Sequence, residues 1–341
     1  MIAGINLTGV IVNIFVTGAT GFIGKHLVCR LLAGGHAIRC LVRSADRARV
    51  LQENGVNVIL GDVNDASALK RGMAGCDCLF HLANLYTMWT PAPGQFQQIN
   101  VEGTRTVLEC ALTCGVSKVV YVSTVAVYGK PSDCPFKEDS IHGPKLFSEY
   151  ARTKALAEKL AWEFYDQRGL PLVVLYPGIV LGAGDDKASG HYIQDLIRRR
   201  APSTIFHNSY ATYIDVEDLV DALVQAAVRP ETIGQKYLLG GQTLNGRDYA
   251  QLIQEVSGVR LPLLRLPDWV VLAASYLLTG VSAITRQPPM WGLSVDAGWT
   301  LKNGFYIDGS KAERELGIHY TCIRRALSEA IEAYRRQWAQ N

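Results

Sequence analysis

The sequence predicts an α/β fold: a doubly wound parallel sheet with a smaller, mostly helical C-terminal lobe. Three observations predict it. First, short apolar runs recur at residues 10–16, 37–42, 57–60, 78–82, 118–122 and 172–176. They are continuous rather than alternating, as expected of parallel strands covered on both faces. Second, helical patterns at 22–33, 99–114 and 149–165 lie between them, and such alternation builds a doubly wound sheet. Third, the pattern loosens after residue 180 into helices at 192–199, 216–228, 247–256, 269–284 and 323–338, joined by short extended pieces. We therefore expect residues 1–180 to form the sheet domain and 181–341 the lobe, with about 205–240 returning to the sheet.

Composition narrows the class of protein. The chain has 341 residues, 48% hydrophobic and 19% charged, which excludes disorder and collagen-like repetition. Its 34 Lys and Arg against 31 Asp and Glu leave a net charge of +3, too little for a general nucleic-acid binder. The run Arg198–Arg200 reads as the solvated end of a helix. Eight cysteines show no Cys-x-x-Cys pair and no His at zinc spacing, so no metal is expected. They read as buried free thiols in a reducing, cytoplasmic setting.

Two apolar stretches need separate readings. Residues 1–16 lack a basic start and run into a glycine motif, so they read as a short leader and a buried first strand, not a signal peptide. Residues 269–284 are sixteen uncharged positions, short of the ~20 that cross a bilayer. We expect no transmembrane segment there, but a buried or membrane-touching helix.

The first strand ends in Thr17, Gly18, Ala19, Thr20, Gly21, Phe22, Ile23 and Gly24, and a helix follows. Gly18 suits a tight turn, Gly21 a close backbone approach to a pyrophosphate, and Gly24 close packing of helix on strand. The helix N-terminus then offers free N–H groups and partial positive charge to phosphates. This is a dinucleotide loop in its proper strand–helix context. An NAD site places an acid about 20 residues downstream to take the ribose hydroxyls. Here Arg43 stands in that place, and a guanidinium there suits the 2′-phosphate of NADP. NADP(H) is therefore favoured over NAD(H).

A second constellation follows. Tyr150 and Lys154 lie one helical turn apart on one face. A neighbouring ammonium favours the phenolate and would bring the tyrosine into working range as an acid–base group. The fifth strand ends in Ser123 and Thr124, which puts hydroxyls at the sheet edge where ligands of open α/β sheets bind.

With these residues the chain resembles the extended short-chain dehydrogenase/reductase family over nearly its whole length. The landmarks are the loop of residues 17–24, Gly61-Asp62-Val63, His81-Leu82-Ala83-Asn84, Asn100 to Thr104, Ser123-Thr124 with Tyr128-Gly129, Tyr150 with Lys154, and Pro177 to Val180. The resemblance implies a Rossmann cofactor domain and a substrate lobe. It implies that Asp62 and Val63 meet adenine and that Leu82 and Ala83 lie along the cofactor. Lys154 would also hold the nicotinamide ribose, and Pro177 and Val180 would flank the nicotinamide. The catalytic hydroxyl falls on Thr124, with Ser123 as fallback. Many relatives pair through the helix bearing the Tyr-Lys motif, which implies a homodimer.

Within the family, sugar-nucleotide enzymes often carry arginines that grip a diphosphate, at positions held here by Tyr176 and Ala211. The order of motifs in the C-terminal lobe is similar to dihydroflavonol reductases, 3β-hydroxysteroid dehydrogenases and hopanoid-associated epimerase-like proteins. Tyr86 and Trp89 follow the fourth strand and, with Ser123 and Tyr128, are the expected substrate-binding residues. The expected activity is NADP-dependent interconversion of a ketone and a secondary alcohol on an apolar or ring-containing small molecule. A nucleotide-sugar 4-epimerase or dehydratase with tightly bound NAD, and a non-catalytic dinucleotide sensor, are the alternatives.

Overall fold

The computed structural model describes residues 12–131, 134–143, 145–262 and 264–340. The predicted leader and the first two residues of the predicted first strand lie outside them. The strands are β1 (Asn13–Thr17), β2 (Ala37–Val42), β3 (Asn57–Leu60), β4 (Cys78–His81), β5 (Lys118–Val122) and β6 (Leu172–Pro177). Further on come β7 (Ile179–Leu181), β8 (Tyr210–Asp215), β9 (Lys236–Leu239) and β10 (Gln242–Asn245). A seven-stranded parallel sheet runs in the order β3-β2-β1-β4-β5-β6-β9. The order reverses beside β1, and that switch opens a crevice at the strands' C-terminal ends. β9 joins by pairing Val174 with Lys236 through Pro177 with Leu239. A small sheet, β10-β8-β7, stands beside the large one.

In the first half the helices are α1 (Phe22–Ala33), α2 (Ala45–Glu53), α3 (Ala66–Met73), α4 (Gly94–Phe96), α5 (Gly103–Thr113) and α6 (Glu149–Arg168). A π-helical segment, Gln97–Glu102, joins α4 to α5. The second half holds α7 (Ala188–Ile197), α8 (Val216–Val228), α9 (Gly246–Ser257), α10 (Asp268–Thr285), α11 (Val295–Asn303), α12 (Ser310–Leu316) and α13 (Ile323–Gln340). Both faces of the large sheet are covered, which is why its strands tolerate no polar alternation. On one face Val16, Phe80 and Val120 pack with Leu27 of α1 and Leu223 of α8. On the other, Phe15, Leu79 and Val119 pack with Leu69 of α3, Val107 of α5 and Ala161 of α6. A third cluster holds Leu196, Tyr213, Ile253 and Leu327 together in the C-terminal half.

Cys29, Cys40, Cys76, Cys78, Cys110, Cys114 and Cys322 are free thiols. Cys40, Cys76, Cys78 and Cys110 are buried, but Cys29, Cys134 and Cys322 are exposed, which corrects the expectation of uniformly buried thiols. Cys29 shows the reason: it lies on the outward side of α1, whose buried positions are Phe22, Gly24, Leu27, Val28 and Leu31.

Candidate active site

The glycine loop sits at the C-terminal end of β1. Gly18 has φ +80°, and a Cβ there would lie 2.7 Å from the Ala83 nitrogen and 2.8 Å from the Leu82 carbonyl carbon. The loop is thus pressed onto the end of β4, and only a residue without a side chain fits. A Cβ at Gly24 would run into the Gly18 carbonyl, so α1 is seated directly on the turn. Gly21 is the N-cap of α1, with no side-chain cap and no acid in the first turn. The first N–H groups and the positive end of the helix are left for an anion. Thr20 and Ile23 are half-buried beside them, and Phe22 packs edge-to-face on His26 with ring centroids 5.6 Å apart.

Around this cradle the other predicted cofactor residues line the strand ends. Arg43 follows β2, is exposed, and makes no hydrogen bond or ion pair among the described residues. Asp62 folds its carboxylate back on Asn64, at 3.1 Å from the backbone nitrogen and 3.0 Å from Nδ2. Val63 is buried and would touch any side chain placed at Gly103. Leu82 is buried and Ala83 half-buried, its N–H donating to the Thr17 hydroxyl at 3.3 Å. Asn84 donates to the Leu82 carbonyl at 2.9 Å, while its Oδ1 is buried with no hydrogen-bond partner among the described residues. A buried acceptor without a donor is costly, and a bound ligand with a donor group would satisfy it. Pro177 ends β6, and Val180 lies half-buried on β7. Glycine cradle, uncapped helix, orphaned acceptor and free guanidinium together fit a dinucleotide.

Ser148 caps α6 by accepting from the Ala151 nitrogen at 3.1 Å, which starts the helix just before Tyr150. The Thr124 hydroxyl faces the Tyr150 phenol closely enough to lower its pKa in part. The Tyr86 ring stands edge-on to Tyr150 with centroids 5.0 Å apart. The structure thus brings Thr124, Tyr150 and Tyr86 together. Burial is the main influence on Tyr150 and pushes it well above the ordinary tyrosine range, only partly opposed by Thr124. That corrects the expected lowering. Lys154, 2% exposed, donates to the Tyr121 hydroxyl at 3.0 Å and the Val122 carbonyl at 2.7 Å. Its ammonium is engaged by β5, and burial brings it down to about 7.

Three predicted substrate residues are placed differently. Ser123 is buried and donates to Glu158 Oε2 at 2.9 Å, so its hydroxyl is committed to a carboxylate instead of a ligand. Tyr128 is fully buried among Phe136, His142 and Tyr176, because the turn after Thr124 points it into the core. Trp89 is half-buried and held through its backbone by Thr87, with no ring contact to Tyr86 or Tyr150 among the described residues. A surface cavity of about 800 Å³ lies against α6, lined by His142, Arg152, Leu156, Trp162 and Lys236 among others; none of the predicted site residues contributes to it.

Other residues support the site without having been singled out for a role. Asn100, in the π-helical segment, accepts from the Leu85 nitrogen at 2.7 Å and donates to Thr153 at 3.0 Å. It ties the loop after β4 to the helix of Tyr150. Glu158 is 2% exposed and also accepts from the Tyr176 hydroxyl at 2.7 Å. His81 bridges Thr17 (2.7 Å) and Thr104 (3.1 Å), and burial with the nearby Lys154 charge holds its imidazole down to about 3, hence neutral. Glu158 had one readable signal: it continues the 150–154 spacing by one more turn, among alanines and leucines.

This fold, with a glycine loop opening its first helix, is that of an NAD(P)-dependent enzyme of the extended short-chain dehydrogenase/reductase superfamily. The chain belongs to the NAD dependent epimerase/dehydratase family, which matches residues 14–240. A Synechocystis sp. protein that carries the provisional name dihydroflavonol 4-reductase is 33% identical over 337 residues, covering 96% of this chain and 94% of that protein. The 4-hydroxy-2-methyl-3-oxo-4-farnesyl-3,4-dihydroquinoline-1-oxide ketoreductase of Stigmatella aurantiaca is 33% identical over 306 residues, 89% of this chain and 90% of that one. The solved structure of MoeE5 in complex with UDP-glucose and NAD superposes with a TM-score of 0.76 at 25% identity, covering 96% of this chain and 99% of that one.

Proposed function

We propose that the protein is an NADP(H)-dependent oxidoreductase that interconverts a ketone and a secondary alcohol on an apolar, ring-containing small molecule. The observation that carries this is the meeting of Thr124 and Tyr150 beneath the Tyr86 ring. In this reading residues 1–180 hold the cofactor and 181–341 shape the substrate side. The loop from Gly18 to Gly24 and the first N–H groups of α1 would hold the pyrophosphate, Asp62 and Val63 the adenine end, and Arg43 the 2′-phosphate. Leu82 and Ala83 would run along the cofactor, with Pro177 and Val180 beside the nicotinamide. The bound nicotinamide supplies or takes up the hydride.

The chain's own residues handle the oxygen. In reduction Tyr150 gives its proton to the carbonyl oxygen, whose former π pair becomes the new O–H bond. Thr124 donates a hydrogen bond to the same oxygen as charge develops on it. The raised Tyr150 is protonated at neutral pH, the form this step needs. Lys154 supplies positive charge when the phenolate is left behind, which is where a nearby ammonium counts most. The Stigmatella relative, named as a ketoreductase of a farnesylated dihydroquinoline oxide, supports both the reaction and an apolar ring substrate.

The test is cofactor oxidation by the purified protein against a panel of apolar cyclic ketones, with NADPH and NADH in parallel. Turnover with NADPH that vanishes in Tyr150→Phe supports the reading; a full panel without turnover defeats it. The 4-epimerase reading would show instead as NAD(H) retained through purification and a melting-temperature shift with a UDP-sugar. The position where sugar-nucleotide enzymes often carry an arginine is held by Tyr176, fully buried and bound to Glu158, which supports the reductase reading.

A further inference from the structure

Helix α10 is built inside out. No charged residue lies between Asp268 and Arg286. A helix on a soluble surface ordinarily buries its large apolar side chains and exposes polar ones. Here the buried positions are Val271, Ser275 and Ser282. The large side chains face outward instead: Trp269 is 72% exposed, Tyr276 57%, Leu277 69%, Val281 49% and Ile284 86%. They recur at helical spacing and form one stripe. The turn after α10 carries two more exposed apolar side chains, Met290 and Trp291. A contiguous apolar surface of this kind marks a contact.

The charge around the stripe indicates the occupant. Arg260 and Arg265 are exposed ahead of the helix, and Arg286 is exposed at its end. Trp291 Nε1 donates to the Arg200 carbonyl at 3.1 Å, which brings the exposed Arg199 and Arg200 to that same end. Within residues 256–294 the sole acid is Asp268, which pairs with Lys302 at 3.5 Å. An apolar stripe with aromatic residues and flanking arginines is complementary to an anionic lipid surface. A second copy of the chain would bring the same cations against themselves.

We propose that α10 docks this protein onto anionic bilayers, lying in the interface plane with the Trp269–Ile284 stripe in the headgroup region. The helix lies on the membrane and does not cross it, because its other face is packed on α11 through Ser275, which sits against Gly298. The hairpin of α10 and α11 also reaches the site. Ser294 donates to the Met88 carbonyl at 2.6 Å, in the loop that carries Tyr86, and Asp296 accepts from the Glu149 nitrogen at 2.8 Å. Docking therefore holds the Tyr86 loop close to the lipid, where an apolar substrate is concentrated. The docking itself does not depend on which reaction the site performs.

The experiment is flotation of the full chain with vesicles of phosphatidylcholine alone or mixed with phosphatidylglycerol, at low and high salt. The expected result is binding to the mixed vesicles that weakens with salt. Leu277→Glu with Ile284→Glu is expected to reduce partitioning about tenfold or more. Both side chains are exposed, so the melting temperature should hold, which separates lost docking from lost folding. Arg265→Glu with Arg286→Glu should remove the preference for the anionic vesicles. Absence of binding to either vesicle overturns the proposal, as does unchanged binding of the double Glu variant. Sedimentation that shows a dimer broken by Ile284→Glu, without vesicle binding, would assign the stripe to a second copy and also overturn it.

Discussion

The Lys154 ammonium and the Tyr121 hydroxyl are 3.0 Å apart, and the Lys154 charge also stands 4.4 Å from the Tyr121 ring centroid. Tyr121 is therefore a positioning residue for the lysine, holding it through a hydrogen bond and a cation–π contact. Both are made inside the sheet, where neither is weakened by water.

The buried Lys154 gives stability a defined pH dependence. Burial lowers it from its ordinary 10.5 to about 7, with Glu158 opposing part of the fall. Between those values the unfolded chain binds more protons than the folded one, so this group's contribution to stability rises with pH across that window. Thermal melts of the cofactor-free protein from pH 7 to 10, compared with Lys154→Met, should show the rise in the parent only. Parallel curves would contradict the assignment.

Tyr150→Phe removes the proton donor and Thr124→Ala the partner on the same oxygen. Each should lower kcat/KM by about 10²–10⁴, the usual contribution of general acid–base groups. NADPH binding, followed by fluorescence titration, should be nearly unchanged in both. An active Tyr150→Phe variant would remove the tyrosine from the mechanism.

Ser123→Ala separates the two adjacent hydroxyls. Because Ser123 serves the buried Glu158, its loss should cost about 1–3 kcal/mol of stability, the range for a buried acceptor left short of a donor. Steady-state kinetics should change little. A large loss of kcat/KM with unchanged melting would return Ser123 to the substrate.

Arg43→Ala should raise the KM for NADPH roughly tenfold or more and leave that for NADH alone, as expected when a hydrogen bond to a charged group is lost. Equal effects on both cofactors would mean that Arg43 does not meet the 2′-phosphate.

Much of the large sheet was legible because β1, β2, β4, β5 and β6 are largely buried and punctuated by glycines and helix patterns, while the exposed edge strand β3 still reads as a short apolar run. The individual strands β7 to β10 were not legible, only a return of about 205–240 to the sheet. Segments such as Tyr210–Asp215 and Gln242–Asn245 mix polar and apolar residues, and their pairing is decided by partners distant in sequence. Helices α2 and α3 were missed because they are short, 9 and 8 residues, and leave too few turns for a period to be read. In the site, residue spacing located Tyr150 and Lys154 but not where their polar ends go. That depends on which hydroxyls and carbonyls the neighbouring strand presents. The same limit put Ser123 and Tyr128 among the substrate contacts.

Between β6 and β7 the chain changes sheets at a single residue, Gly178. Pro177 on one side is tied to Leu239 in the large sheet; Val180 on the other is tied to Ile214 in the small one. The two residues proposed to flank the nicotinamide thus form a pair of calipers, one jaw fixed to each sheet. Val180 takes its place from β8 and Pro177 from β9, so the width of the gap between them is set by how the two sheets meet at Gly178.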